Sequence, residues 1–338
     1  VKAAGARCAP PTGAAAYHKP DLQGTVLTVP KHEFICLFLV FVRYYKQQRL
    51  PLKRTMPFSR CKGEKNMRKN WAALALTGML CLTTFAGTQT VSAETADSAK
   101  QVDIVFTHDT HSHLNTFTTI VDEAEKEVGG FARINTLIQE QKAKNPDTLV
   151  IDGGDFSMGT LIQTVFETQA AEIRMLGYMG CDVTTLGNHE FDYRSKGLAN
   201  MLNSATESGD NLPALVVCNV DWESMEAAGL SEGQQLIRDA FDEYGVSDYV
   251  VLEKGDTDIA VVGVFGKDAL ACAPTCELLF KDPIEAVKET VEEIRENEDV
   301  DMIVCVSHSG TWEDESKSED ENLAKAVPEL DLILSGHT

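Results

Sequence analysis

Basic residues are scarce where this chain carries its chemistry. Residues 94–338 hold 16 Lys and Arg against 49 Asp and Glu, whereas residues 1–93 hold 14 against 3. So acidic a body excludes a phosphate-tracking nucleic-acid surface, which needs clustered Lys and Arg. An anionic substrate would need local positive charge, and bound cations supply that most compactly. Long apolar runs are also lacking. Phe34 to Val42 is apolar over nine residues, and a spanning helix needs about 20. There is no internal repeat, and 338 residues allow two domains at most. Cysteine is sparse after residue 93. Cys181, Cys218 and Cys305 lie in or beside apolar runs and are expected to be buried thiols. Cys272 and Cys276 form a loop pair with no second pair at matching spacing, which argues against a zinc knuckle and favours a local disulfide.

The chain opens on segments that belong to no core. Met67-Arg68-Lys69-Asn70 is a basic start, Trp71 to Phe85 is mostly apolar, and Val91-Ser92-Ala93 is a small-residue cleavage site. Together residues 67–93 read as a secretory signal peptide, with Glu94 the expected mature amino terminus and a secreted, envelope or periplasmic location. Residues 1–66 lie upstream of that signal and are expected to be a wrongly chosen start. The alternative is a cytoplasmic extension with an uncleaved anchor, and no function is assigned to them. Residues 94–101 form a polar linker.

From Val102 the pattern alternates apolar runs with helical periodicity, which predicts an α/β domain over residues 102–338. Helices are expected near residues 131–144 and 163–179. A third opens at Asp282-Pro283-Ile284-Glu285, where a capping box precedes a stripe of Ile284, Val287, Val291 and Ile294. The acidic segment Glu313 to Glu321 reads as a solvated loop.

Six histidines remain in this region: His108, His111, His113, His189, His308 and His337. Each sits just beyond an apolar run. One histidine ending a strand is ordinary, but six doing so mark the carboxyl edge of a sheet as a site. The densest stretch is Gly187-Asn188-His189-Glu190-Phe191-Asp192, where a β-branched run stops at a glycine and three polar side chains follow. Asp109 and His111, two apart, can reach one cation from one strand end. Asp155 follows Gly153-Gly154, and its carboxylate can bridge two cations. Asn188, His308 and His337 would complete a second set. Oxygen and imidazole donors without thiolate suit Zn, Mn, Fe or Mg, and two such cations ~3.5–4 Å apart clamp an in-line displacement at phosphorus.

Asp109-Thr110-His111, Gly154-Asp155, Gly187-Asn188-His189-Glu190, Ser307-His308 and Gly336-His337 occur in the order that resembles the calcineurin-like metallophosphatases. The resemblance covers residues 102–338 and points to the exported bacterial 5′-nucleotidase and cyclic-nucleotide phosphodiesterase branch. It implies a four-layer αββα sandwich of two mixed sheets, and two divalent metal ions as cofactors. Asp109, His111 and Asp155 would hold the first ion, and Asp155, Asn188, His308 and His337 the second. His189 would stabilise the transferring phosphoryl group and protonate the leaving oxygen, with Asp192 orienting it, so that Asn188 and His189 also face substrate. Gly129-Gly130 resembles the opening of the family's first helix. His108 and His113 match no family ligand, and Asn219 is read as lining the cleft or capping a loop. The family motif is usually Gly-His-x-His, and this chain stops at Thr338, before the second histidine. A truncated catalytic domain is therefore expected, with the strand Leu332 to Ser335 left with an unpaired edge and the base-binding domain absent. The partner implied is a small-molecule nucleotide. A cyclic-nucleotide or nucleotide-sugar phosphodiesterase, and a catalytically silent binding protein of the same fold, are the alternatives.

Overall fold

The computed structural model describes residues 100–121 and 123–338, together with the backbone of Lys2–Ala3, Thr25–Leu27 and Cys36–Tyr44. The expected signal peptide and the linker up to residue 99 lie outside the described residues.

Two sheets organise the fold. The first runs in the order Lys2–Ala3, Cys36–Tyr44, Lys100–His108, Leu149–Asp152, Val183–Thr184, Ala214–Leu215. The second runs Tyr249–Lys254, Thr257–Phe265, Met302–His308, Leu332–Ser335, Thr25–Leu27. From Lys100–His108 to Ala214–Leu215 the pairing is parallel, as it is from Thr257–Phe265 to Leu332–Ser335. Each sheet also has an antiparallel neighbour, so both are mixed.

Strand alternation explains how both faces are covered. Ile104, Phe106, Leu149 and Ile151 point inward and join Ile259, Val261, Val304, Val306, Leu332 and Leu334 in one cluster between the sheets. Val105 and Val150 point the other way, against Phe131, Ile138, Ile173, Leu176 and Leu202 of the helices outside the first sheet. Val262, Val264, Cys305 and Ile333 do the same for the second sheet, against Val287, Val291, Ile294 and Leu323. Each such side chain contributes about 1.5–3 kcal/mol on burial. The result is the four-layer αββα sandwich expected from the motifs. No helix among the described residues is long and apolar enough to cross a membrane.

Most expected elements form. Phe131–Lys144 is a helix that starts at Gly130 with φ 86°. Pro283–Asn297 is capped by the Asp282 carboxylate, which accepts from the Ile284 and Glu285 amides. Cys181, Cys218 and Cys305 are buried.

Four expectations are corrected. The helix over 163–179 is broken into a 3-10 turn, Leu161–Val165, and helices Phe166–Gln169 and Ala171–Met179. The break is at Ala170, which is left-handed at φ 46°. Its apolar stripe is still buried, because Phe166, Ala170, Ile173 and Leu176 all reach the core. The segment 313–321 is not wholly solvated: Ser318 and Asp320 are fully buried, and Glu319–Ala326 is a helix. No disulfide joins Cys272 to Cys276. Cys272 is exposed at the end of helix Lys267–Ala271, whereas Cys276 turns inward against the core, where burial pushes its thiol up to about 11. Finally, Leu332–Ser335 has no bare edge, because Thr25–Leu27 pairs parallel with Leu332, Ile333 and Leu334. An unpaired row of backbone donors and acceptors recruits any extended segment within reach.

Candidate metal centre

The parallel strands of both sheets deliver their carboxyl ends to one place, and the chemistry-bearing residues lie in the turns that follow. Two of these turns interlock through the backbone. Asp109 N donates to Gly154 O and His111 N to Asp155 O, each at 3.0 Å. Gly187 packs so tightly on the Asp155 turn that a Cβ there would collide with the Asp155 carboxylate. Gly154 sits at φ 83°, and a Cβ on it would approach Gly187 N to 2.7 Å. Four of the six expected ligands occupy the left-handed region: Asp109 (φ 50°), His111 (φ 45°), Asp155 (φ 52°) and His337 (φ 76°). Non-glycine residues held there are strained, and such strain gathers at functional sites.

Asp155 is the hub. Its Oδ2 lies 3.2 Å from His308 Nε2, and its Oδ1 accepts from the His189 amide at 2.8 Å. His308 Nδ1 meets Gly153 O at 2.7 Å, and its Nε2 is 3.3 Å from Asn188 Oδ1. Donation to the Gly153 carbonyl leaves Nε2 as the nitrogen open to a cation. Asp109 Oδ1 is 3.7 Å from His111 Nε2, and Asp109 Oδ2 accepts from the His337 amide at 2.9 Å. Two donor groups converge within 4.8 Å: His111, Asp155 and His189, and Asp155, His308 and His337. Asp155 belongs to both.

Asp155, His308 and His337 converge, with Asn188 beside His308, whereas the other group holds His189 where Asp109 was expected, and Asp109 lies next to it, 3.7 Å from His111. His189 stands with His111 and Asp155, its ring edge-on to His111 at 5.1 Å. Its Nδ1 is 2.7 Å from Asp192 Oδ2, which is the expected His–Asp pair. The donors fit divalent cations, since they are carboxylate, amide oxygen and imidazole, largely buried, with one carboxylate shared.

The electrostatics follow from this crowding. Burial disfavours a charged His308, yet the charge and hydrogen bond of Asp155 outweigh it and raise His308 to about 10. Burial likewise opposes ionisation of Asp109 and Asp155, but the His108 hydrogen bond and the His308 charge hold Asp109, and the charge and hydrogen bond of His308 hold Asp155, below the ordinary carboxylate range. His189 is raised, because Asp155 and the Asp192 hydrogen bond outweigh its partial burial. His337 is lowered by burial and by the neighbouring His308.

His108 and His113 stand outside both groups. His108 Nδ1 meets Asp109 Oδ2 at 2.6 Å, so it orients a ligand, and His113 Nδ1 meets Thr110 O at 3.2 Å. Asn219 is fully buried and brackets Phe265, donating to its carbonyl at 2.8 Å and accepting from its amide at 3.0 Å. It ties strand ends and does not line a cleft.

Three buried carboxylates beneath the turns were not singled out from the sequence. Glu190 accepts from Asp155 N and Ser157 N at 3.0 Å, Ser157 Oγ at 2.7 Å and Gly187 N at 2.6 Å. Asp152 accepts from Thr107 Oγ1 at 2.6 Å and from Gly154 N and Thr184 Oγ1 at 3.1 Å. Asp320 accepts from Ser307 Oγ at 2.6 Å, Gly310 N at 3.1 Å and Ser335 Oγ. Burial raises Glu190 to about 7, with Asp155 adding to it, and raises Asp152 and Asp320 to about 6. The only signal in the sequence for Glu190 was its place inside the Gly-Asn-His-Glu run.

The trifunctional nucleotide phosphoesterase YfkN of Bacillus subtilis is 31% identical over 255 residues, covering 72% of this chain and 16% of that protein. Bovine 5′-nucleotidase is 28% identical over 244 residues, covering 70% and 38%. Among solved structures, the 5′-nucleotidase precursor of Thermus thermophilus superposes with a TM-score of 0.55 at 28% identity, covering 70% of this chain and 41% of that one. The chain thus spans well under half the length of these relatives. The family model for the calcineurin-like phosphoesterases matches residues 102–338, and the chain belongs to that family.

Proposed function

We propose that the chain is a metal-dependent hydrolase of phosphate esters that acts on nucleotides, holding two divalent cations of the Zn, Mn, Fe or Mg kind. The observation that carries this reading is the shared position of Asp155 between the two donor groups, with the His189–Asp192 pair beside it. Asp109, His111 and Asp155 would hold one cation, and Asp155, Asn188, His308 and His337 the other. The cations would supply a clamp on the phosphoryl oxygens and an acidified water at neutral pH.

The chain's own residues supply position and protons. Asp192 accepts from His189 Nδ1 and fixes the ring, so Nε2 carries the transferable proton. The Asp192 hydrogen bond favours the protonated ring, as a general acid toward a leaving alkoxide requires. Gly153 O fixes the tautomer of His308, and His108 fixes the carboxylate of Asp109. Export through the leader read at residues 67–93 is part of the same proposal, and it suits a nucleotide scavenger outside the cytoplasm.

The test is phosphate release from a 5′-nucleotide, a 2′,3′-cyclic nucleotide and a nucleotide-sugar by purified, Mn²⁺- or Zn²⁺-loaded protein. The expected result is turnover of at least the 5′-nucleotide, abolished by Asp155→Ala. Cation binding at Asp155 without hydrolysis of any of the three would overturn the reading in favour of a silent binding protein.

A further inference from the structure

Cys272 faces an unexpected neighbourhood. It and Asp268 are four residues apart on one helical turn, closed by the bond from Cys272 N to Asp268 O at 3.0 Å. Side chains at i and i+4 share a helix face. His337 comes to that face from the end of strand Leu332–Ser335, two strands along the same sheet, with Nε2 3.0 Å from Asp268 Oδ2. A sulfur, a carboxylate oxygen and an imidazole nitrogen from these three residues lie within 4.8 Å of one another. Cys272 is exposed and the Asp268 side chain is 46% exposed, so ions reach the group directly. Asp268 also lines a cavity of about 540 Å³ with Ser309 and Trp312.

We propose that Asp268, Cys272 and His337 form an outer cation site for a thiophilic divalent ion such as Zn²⁺, which competes with the Asp155–His308 group for the imidazole of His337. Thiolate, imidazole and carboxylate are the three ligand types of zinc, and three protein donors leave a fourth position for water. The inner donors contain no sulfur, so the two places differ in the ion they prefer. Binding replaces the His337–Asp268 hydrogen bond with two metal–ligand bonds. It adds a third from sulfur, with the thiol proton released to solvent and the His337 Nε2 proton passed through solvent to Nδ1, which frees Nε2 to ligate. A neutral imidazole has one unprotonated ring nitrogen, so His337 serves one cation at a time. Loading the outer site therefore withdraws a ligand from the inner group. That inhibitory consequence rests on the phosphoesterase reading, whereas the outer site itself does not.

The experiment titrates metal-depleted full chain, under reducing conditions, with Co²⁺ as a spectroscopic stand-in for Zn²⁺. The expected result is a thiolate-to-cobalt charge-transfer band that is lost in Cys272→Ser and retained in Cys276→Ser. Asp155→Ala should keep the band while losing hydrolysis, which separates this site from the catalytic one. Zn²⁺ affinity of the outer site, read by chelator competition, should fall in Cys272→Ser by at least the roughly 10–100-fold that loss of a mere outer partner brings. In an enzyme active with Mn²⁺, inhibition by added Zn²⁺ should shift to higher Zn²⁺ in Cys272→Ser by the same factor. Absence of the band in the wild-type chain, or its persistence in Cys272→Ser, would overturn the proposal.

Discussion

Replacing Glu190 tests whether the site is held by its ligands or by what lies beneath them. Its carboxylate is fully buried and accepts the amides of Asp155, Ser157 and Gly187. In Glu190→Ala those three amides lose their acceptor, at roughly 1–3 kcal/mol each, or about 3–9 kcal/mol together. Against this, the variant removes a buried charge that sits beside Asp155. The lift of Glu190 to about 7 puts that relief at ~3 kcal/mol above neutrality. The net expectation is a loss of a few kcal/mol in urea unfolding at pH 8. Glu190→Gln is the control. Its amide nitrogen can face Ser157, whose hydroxyl turns round to accept, so only the Ser157 amide goes unpaired while the charge is still removed. The two terms then nearly cancel, and Glu190→Gln should unfold near the wild-type midpoint. Cation affinity should fall in the Ala variant, because the Asp155 and Gly187 turns lose their common anchor. A Glu190→Ala protein with wild-type stability and wild-type affinity would show that the two turns hold each other unaided, and the reasoning would fail.

Further outcomes are expected. His189→Ala should lower kcat by ~10²–10⁴, the usual range for a general acid, with bound cation unchanged by elemental analysis; a loss of cation would instead make His189 a ligand, as its place beside His111 and Asp155 allows. Asp320 is raised by burial to about 6, so its contribution to stability is complete below about pH 4 and is lost as pH rises through 6. Asp320→Asn does not titrate, so its stability relative to wild type should improve by up to ~3 kcal/mol between pH 4 and pH 7, and parallel pH profiles would refute this. His308, raised to about 10, must lose its proton to ligate. Cation loading at pH 8 in weak buffer should therefore release protons, and none released would place His308 outside the site. Amino-terminal sequencing of exported protein should begin at Glu94, and finding residues before Met67 would refute the leader.

The strand ends were legible because the residue pattern changes sharply there. Val102 to Phe106 is nearly all apolar, and Thr107-His108-Asp109 is not. The same switch at Ile151, Leu186, Val306 and Leu334 marked every turn that reaches the centre. The sandwich was legible through family resemblance, since alternation alone predicts only an α/β domain. What stayed hidden depends on distant pairing. The break at Ala170 leaves the apolar spacing of Phe166, Ile173 and Leu176 intact, so periodicity could not register it. Cys272 and Cys276 are close in sequence, which suggested a bond, but one ends a helix outward and the other packs inward. Asp320 lay within an acidic run and shared its appearance, although its partners, Ser307 and Ser335, sit at two strand ends.

Asp152, Glu190 and Asp320 make one design out of these separate facts. Asp152 joins Thr107, Gly154 and Thr184, and so fixes the turns that present Asp109 and Asp155. Glu190 joins Asp155 to Gly187, which precedes Asn188. Asp320 joins Ser307 to Ser335, which precede His308 and Gly336-His337. Every expected ligand thus follows or occupies a turn anchored on a buried carboxylate. A neutral side chain of the same shape would anchor fewer amides, because an ionised carboxylate accepts at both oxygens. Buried anions are normally unfavourable, and the raised values of all three record that cost. Divalent cations held by the neighbouring donors would supply the opposing charge. The same three carboxylates that strain the metal-free fold would then be stabilised once the site is loaded, so the rigidity of the ligand turns and the occupancy of the centre are two faces of one electrostatic balance.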